Sequence, residues 1–171
     1  MALTQITGDG LATSGLPTGT VLQVISVTKT DDFSGTATSF ADITGMTASI
    51  TPSNTSNKVL VMLTCQGGSE IQGCYLRLQR NSSSVFIGDS GVVQSSASVG
   101  KSDGGEAVHN IHLSFLDSPS STSSQAYQVQ YRRRNDTQSG TYRLNINQDN
   151  TTSSTDKPRV ASSIILIEIA G

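Results

Sequence analysis

The chain has 171 residues, of which 35% are hydrophobic and 14% charged, and its net charge is −2. That length closes one core, and the charge of an average domain (about 25% of residues) is replaced by hydroxyls, 27 serines and 20 threonines. The balance excludes a dedicated nucleic-acid binder, which would be basic. Two cysteines exclude a disulfide scaffold, and no apolar run approaches the roughly 18 residues of a membrane-spanning helix.

In chain order, residues 1–18 come first. Met1 to Gly10 has neither a basic region nor an apolar block, so no signal peptide is expected. The segment is polar and glycine-rich and shows no alternation. It reads as an N-terminal arm in which Leu3, Ile6, Leu11 and Leu16 are the residues available for docking. Residues 19–171 read as a single β-domain.

No later stretch carries helical periodicity, whereas period two is frequent. Met46, Ala48 and Ile50 alternate with Thr47 and Ser49, and Cys74, Leu76 and Leu78 with Tyr75, Arg77 and Gln79. Tyr127, Val129 and Tyr131 alternate with glutamines and Arg132, and Tyr142, Leu144 and Ile146 with Arg143, Asn145 and Asn147. Period two with one polar face marks a half-exposed antiparallel sheet. Val59 to Leu63 and Ile164 to Ile169 are apolar on both faces, as expected of central strands or of strands covered by a neighbouring chain. Turn chemistry separates the runs: Pro52-Ser53-Asn54, Gly67-Gly68, Asn81 to Ser84, Asp117-Ser118-Pro119 and Asp136 to Gly140.

The predicted strands are 21–28, 37–43, 46–50, 58–66, 73–80, 84–88, 107–116, 125–132, 141–147 and 162–170. About ten short strands with no substantial helix predict an all-β, antiparallel, jelly-roll-like sandwich. Residues 89–106 and 148–161 read as long loops.

The wording of several segments resembles a known family. They are Leu16-Pro-Thr-Gly-Thr-Val-Leu-Gln-Val-Ile25, Phe40-Ala-Asp-Ile-Thr-Gly-Met46, Ile50-Thr-Pro-Ser53, Ser56-Asn-Lys-Val-Leu-Val61, Phe115-Leu-Asp-Ser-Pro119 and Ile164-Ile-Leu-Ile-Glu-Ile-Ala170. Over roughly residues 16–170 they resemble a β-domain of tailed phages, of the marine and cyanobacterial type, found in tail-fibre-like and other virion structural proteins. The resemblance implies a jelly-roll-like head, often trimeric, and a place on the virion. The opening Met1-Ala-Leu-Thr-Gln-Ile-Thr-Gly-Asp-Gly10 also looks like the start of such fibre proteins. The chain has no stalk of repeats, which keeps a capsid decoration protein open as the alternative.

Candidate chemistry is sparse. His109 and His112 are three apart, so on a strand their rings point to opposite faces and one strand cannot bring both to one metal. Cys65 and Cys74 fall on core-facing positions and read as small buried hydrophobes; a disulfide between them needs the two to sit opposite one another. Arg132, Arg133 and Arg134 form the one charge cluster and could meet an anionic ligand bidentately, or pair with Asp136, Asp117 or a neighbouring subunit. Asp31-Asp32 and Asp103/Glu106 could act as a glycosidase pair only if the fold sets carboxylates about 5–10 Å apart. There is no nucleophile elbow, phosphate loop or zinc spacing. The expectation is therefore no enzyme, no cofactor and no metal.

The partners expected are other phage virion proteins through the arm, further copies of the chain in a homotrimer, and a host-surface glycan met by the Ser-, Thr-, Asn- and Gln-rich loops. Nucleic acid and a membrane span are not expected. Ile165, Ile167 and Ile169 are the residues expected at a subunit contact. A free carbohydrate-binding module is the reading from outside the virion.

Overall fold

The computed structural model describes residues 16–69, 74–89, 97–101, 105–133, 140–146 and 159–171. These residues form eleven strands and no helix. The strands are β1 (Val21–Lys29), β2 (Phe33–Gly35), β3 (Ala41–Ile50), β4 (Lys58–Ser69), β5 (Cys74–Arg80), β6 (Ser83–Val85), β7 (Val99–Lys101), β8 (Gly105–Asp117), β9 (Gln125–Arg133), β10 (Tyr142–Leu144) and β11 (Ser162–Ile169).

The strands form two antiparallel sheets. In the first, β1 pairs β11, β11 pairs β4, and β4 pairs β8; the short strands β10 and β2 continue from the far end of β4. In the second, the order is β3-β9-β5-β6, with β7 also on β5. β2, β6, β7 and β10 are three residues each; with β7 kept beside β5 and the other three set aside, eight remain. The first pairs with the last, the second with the seventh, the third with the sixth and the fourth with the fifth. That is one long antiparallel hairpin rolled up on itself, the jelly roll. The fold class expected from the alternating runs is the one observed, and β4 and β11, the two runs apolar on both faces, are both internal strands.

The core lies between the sheets. Val59, Val61, Leu63 and Cys65 of β4 and Ile164 and Leu166 of β11 face Ile43, Met46, Ala48, Leu76, Leu78, Tyr127 and Val129 of the other sheet, and all are buried. At one end Tyr131 stacks on Tyr142 with centroids 5.4 Å apart and meets Phe33 edge-on at 5.1 Å.

Polar locks close the ends. Asp117 of β8 accepts from Arg80 of β5 at 2.6 Å and from the Tyr127 hydroxyl of β9 at 2.8 Å, tying three strands from both sheets. Glu168 is 1% exposed and accepts from Gln23 Nε2 (2.5 Å), the Ser53 N–H (2.6 Å) and hydroxyl (2.9 Å), and Asn57 Nδ2 (2.6 Å). Asn145, in the left-handed region at φ 63°, donates to the carbonyls of Lys29 (2.8 Å) and Asp31 (2.9 Å) and accepts from the Ser162 hydroxyl (2.6 Å). Each bond satisfies a group that would otherwise be buried without a partner, which costs about 1–3 kcal/mol per group.

Several boundaries differ from the sequence reading. The predicted strand 37–43 begins only at Ala41; residues 37–40 belong to no strand, and the short β2 precedes them at Phe33–Gly35. The predicted strands 37–43 and 46–50 are one strand, β3, interrupted by a bulge: Asp42 faces Gln130 and Thr47 faces Gln128, so four residues oppose one. Gly45, at φ 83°, makes the turn in that bulge, and both Ile43 and Met46 still reach the core. The expected loop 89–106 contains β7 and the start of β8, short and glycine-bearing and therefore without an alternating signal. The predicted strand 84–88 stops at Val85 because Phe86 takes φ 50°. The predicted strand 141–147 stops at Leu144, where Asn145 turns.

At the domain's start, Gly19 N–H donates to Ala170 O (2.8 Å) and Ala170 N–H to Thr20 O (2.9 Å). The chain is thus pinned to its own C-terminal strand just before β1. Leu16 is half-buried; Leu3, Ile6 and Leu11 of the arm lie outside the described residues, as does most of the expected loop 148–161.

Candidate functional site

Each sheet turns one face to the core and one outward, and the two outward faces are chemically opposite. On the first sheet the register sets outward residues in rows across four strands. One row is Val24, Ile167, Leu60 and Leu116, on β1, β11, β4 and β8. Next to it lie Ser26, Ile165, Met62 and Ser114, and then Thr28, Ser163, Thr64 and His112. On the other side Val21 pairs with Ile169, and Ile169 with Lys58.

Seven of these residues, from Val21 to Leu116, are aliphatic, and Met62 joins them. Val21, Val24, Leu116 and Met62 are 57%, 56%, 54% and 41% exposed, and the isoleucines are half-buried. Strands about 4.8 Å apart, with same-face residues about 6.8 Å apart, make this a patch of roughly 15 by 20 Å. Its cause is visible in the sequence: β4 and β11 are aliphatic at successive positions, so whatever satisfies the core leaves a second apolar side facing out. The structure brings Ile165, Ile167 and Ile169 together on this face. Leu60 and Met62 belong to the run Val59 to Leu63 already read as apolar on both faces, whereas Val21, Val24 and Leu116 were missed, because each needs the strand register to join the patch.

On the second sheet the outward face is polar. Its rows are Tyr75 beside Arg132, then Asp42, Gln130 and Arg77, then Thr47, Gln128 and Gln79. Arg77 stacks on Phe40, with Cζ 3.6 Å from the ring centroid, and Arg132 Cζ lies 5.6 Å from the Tyr75 centroid. Gln130 Nε2 donates to Asp42 Oδ1 at 2.8 Å, and the Thr47 hydroxyl donates to Gln128 Oε1. Burial, and then the charge of Arg132, lower the Arg77 pKa.

The sequence grouped Arg132 with its chain neighbours; the sheet groups it with Arg77. Arg133 points the other way, its Nε donating to Thr36 O at 2.8 Å, and Arg134 lies outside the described residues. Asp117, offered as a partner for the arginine run, is held by Arg80 and Tyr127 instead. Arg77 was overlooked because it lies 55 positions before Arg132.

The remaining candidates separate. His112 faces outward, its Nδ1 3.2 Å from the Thr64 hydroxyl, and His109 falls on the inward row with Nε2 buried. Among the described residues no three metal-binding side chains converge. Cys65 and Cys74 are buried thiols, one on each sheet and not bonded to each other. Burial, then Cys74, push the Cys65 pKa up to about 12. Asp31 pairs with Lys29 at 2.6 Å and Asp32 with Arg159 at 3.9 Å. Asp103 and the Glu106 side chain lie outside the described residues.

No family model and no curated protein matches the chain. Among solved structures, a chain of the one described as "Structure of infectious bursal disease virus Gx strain" is similar over 86% of this chain, at 11% identity and a TM-score of 0.40. The present chain spans 41% of the length of that one.

Proposed function

We propose that this chain is a structural protein of a phage virion, a tail-fibre or receptor-binding-type β-domain that acts in particle assembly and host-surface adhesion. The observation that carries the reading is the apolar outer face of β1, β11, β4 and β8. A patch of this kind on an isolated domain is a site of association. Its occupant is a second copy of the chain. Among the described residues the patch holds no carboxylate and, apart from Lys58 at its margin, no cation, so it offers no charge pattern that would select a different partner. It meets an identical face or a neighbouring part of an identical chain on hydrophobicity alone.

A stable interface covers about 800 Å² per partner. The aliphatic patch supplies its centre, and Ser26, Thr28, Ser114 and the other hydroxyls around it the rim. Three copies, as in the family the sequence resembles, give the homotrimer. The role is mechanical rather than catalytic, and the N-terminal arm, with Leu3, Ile6, Leu11 and Leu16, is the part that joins the assembly to other virion proteins. Many copies on one particle turn weak host contacts into avidity.

Antibody raised against the folded domain, applied to purified particles and viewed by electron microscopy, tests the location. Label at the tail tip supports the fibre reading. Label spread over the shell replaces it with a capsid decoration protein. Absence of label, with the chain recovered away from particles and binding glycans as a monomer, overturns the virion reading in favour of a free carbohydrate-binding module.

A further inference from the structure

We infer that Phe86 and Ile87, at the β8 edge of the sandwich, are the knob by which each copy of the chain grips the apolar face of the next, so that three copies close head to tail. This rests on association through the outer face of the first sheet and names the surface which that face receives. A face set against its own copy is related by a two-fold axis and closes at two chains; a ring of three needs two different surfaces on every chain. The patch from Val21 to Leu116 is the first. Among the described residues the exposed large hydrophobic side chains are Val21, Val24, Met62, Leu116, Phe86 and Ile87, and the last two alone lie off that patch. They are 47% and 44% exposed.

The knob is held rigid. Phe86 takes φ 50°, a left-handed conformation that a bulky side chain adopts only where its surroundings impose it. Its ring stacks on Phe115 of β8 with centroids 4.9 Å apart. Before it, the Ser98 hydroxyl donates to Val85 O at 3.2 Å; after it, Gly88 N–H donates to Ala97 O at 3.2 Å. A tip pinned on both sides loses little freedom on binding. Phe115 packs against the core and the next residue, Leu116, faces outward, so knob and patch meet along one edge. The opposite margin of the patch is β1, three strands or about 14 Å away, where Val21 and Val24 are more than half exposed. Each chain thus carries a knob at one margin and an open aliphatic surface at the other. That surface is aliphatic throughout, and Phe86 supplies the aromatic anchor that interface centres favour.

The test is absolute mass by light scattering on wild type, Ile87→Lys and Phe86→Asn, with circular dichroism to follow the fold. Beside it, the full-length chain carrying p-benzoylphenylalanine in place of Ile87 is photo-crosslinked in a mixture with isotope-labelled wild type, and the joined peptides are read by mass spectrometry. Ile87 is exposed, and asparagine tolerates the left-handed region at position 86, so both variants should fold. The expected result is a trimer for wild type, association weakened at least about tenfold in both variants, and a crosslink from position 87 to the peptide carrying Val24 or Met62 of another chain. If a variant unfolds, the crosslink decides. A wild-type trimer whose mass both variants keep, or a crosslink from position 87 to any other part of another chain or to none, overturns the knob and leaves association through the face standing. A wild-type monomer overturns both.

Discussion

The Tyr131 hydroxyl occupies the space where a side chain at Gly35 would begin. A Cβ on Gly35 would stand 1.8 Å from Tyr131 Oη and 2.2 Å from its Cζ. The ring cannot retreat, because Phe33 packs on one side and Tyr142 on another, and its hydroxyl accepts the Ala37 N–H at 3.2 Å. β2 is thus held to the second sheet's β9 by the absence of a methyl group. Gly35→Ala should destabilise the chain by about 1–3 kcal/mol, the usual cost of overpacking, read from urea unfolding. Tyr131→Phe should not rescue it, since Cζ remains.

Glu168 should make the fold acid-sensitive. Burial alone would raise its pKa, but the donors from Gln23, Asn57 and Ser53 outweigh burial and hold it below its ordinary value of 4.5. The folded chain keeps this carboxylate ionised to lower pH than the unfolded chain does. Its contribution is therefore complete above about pH 4.5 and is lost as pH falls through the depressed folded value. Glu168→Gln should cost about 1.5–3 kcal/mol at pH 7, as for hydrogen bonds to a charged group. The gap between wild type and variant in urea midpoint should narrow below pH 4.5. A gap that stays constant with pH would contradict this account of Glu168.

Cys65 should be chemically silent in the native state. The thiolate is the reactive form, and a pKa of about 12 with a side chain shut in the core leaves almost none of it at pH 8. Iodoacetamide at pH 8 should modify Cys65 only after denaturant unfolds the chain, with the modification located by peptide mass spectrometry. Labelling at the rate of an exposed thiol in buffer would mean that this end of the core opens.

The fold was legible because alternation is a local property. Met46-Ala48-Ile50 and Tyr127-Val129-Tyr131 announce both their strands and the core-facing side, and the doubly apolar β4 and β11 announce their internal positions. The short strands were not legible. β2 is three residues around a glycine approach, and β7 is Val-Gly-Lys, each too short for a period and held in place by partners far along the chain. The bulge in β3 showed as a break at Thr44-Gly45 but not as one continuous strand. Surfaces were half-legible for the same reason. Ile165, Ile167 and Ile169 share a face on one strand, whereas the row from Val24 to Leu116 and the pairing of Arg77 with Arg132 exist only once the register brings distant strands side by side.

The central claim is that the chain associates through the apolar face of its first sheet, and the most direct measurement is absolute mass by light scattering on wild type and on the Val24→Lys, Leu116→Lys double variant. Both side chains are more than half exposed in the single chain, so lysine there costs the isolated fold little, within about 0.5 kcal/mol per site as for exposed positions generally. Buried in an interface, two unpaired charges would break it. The account predicts three chains per particle for wild type and one for the variant, with the same circular dichroism spectrum for both. A wild-type monomer, or a variant that keeps the wild-type mass, would contradict it.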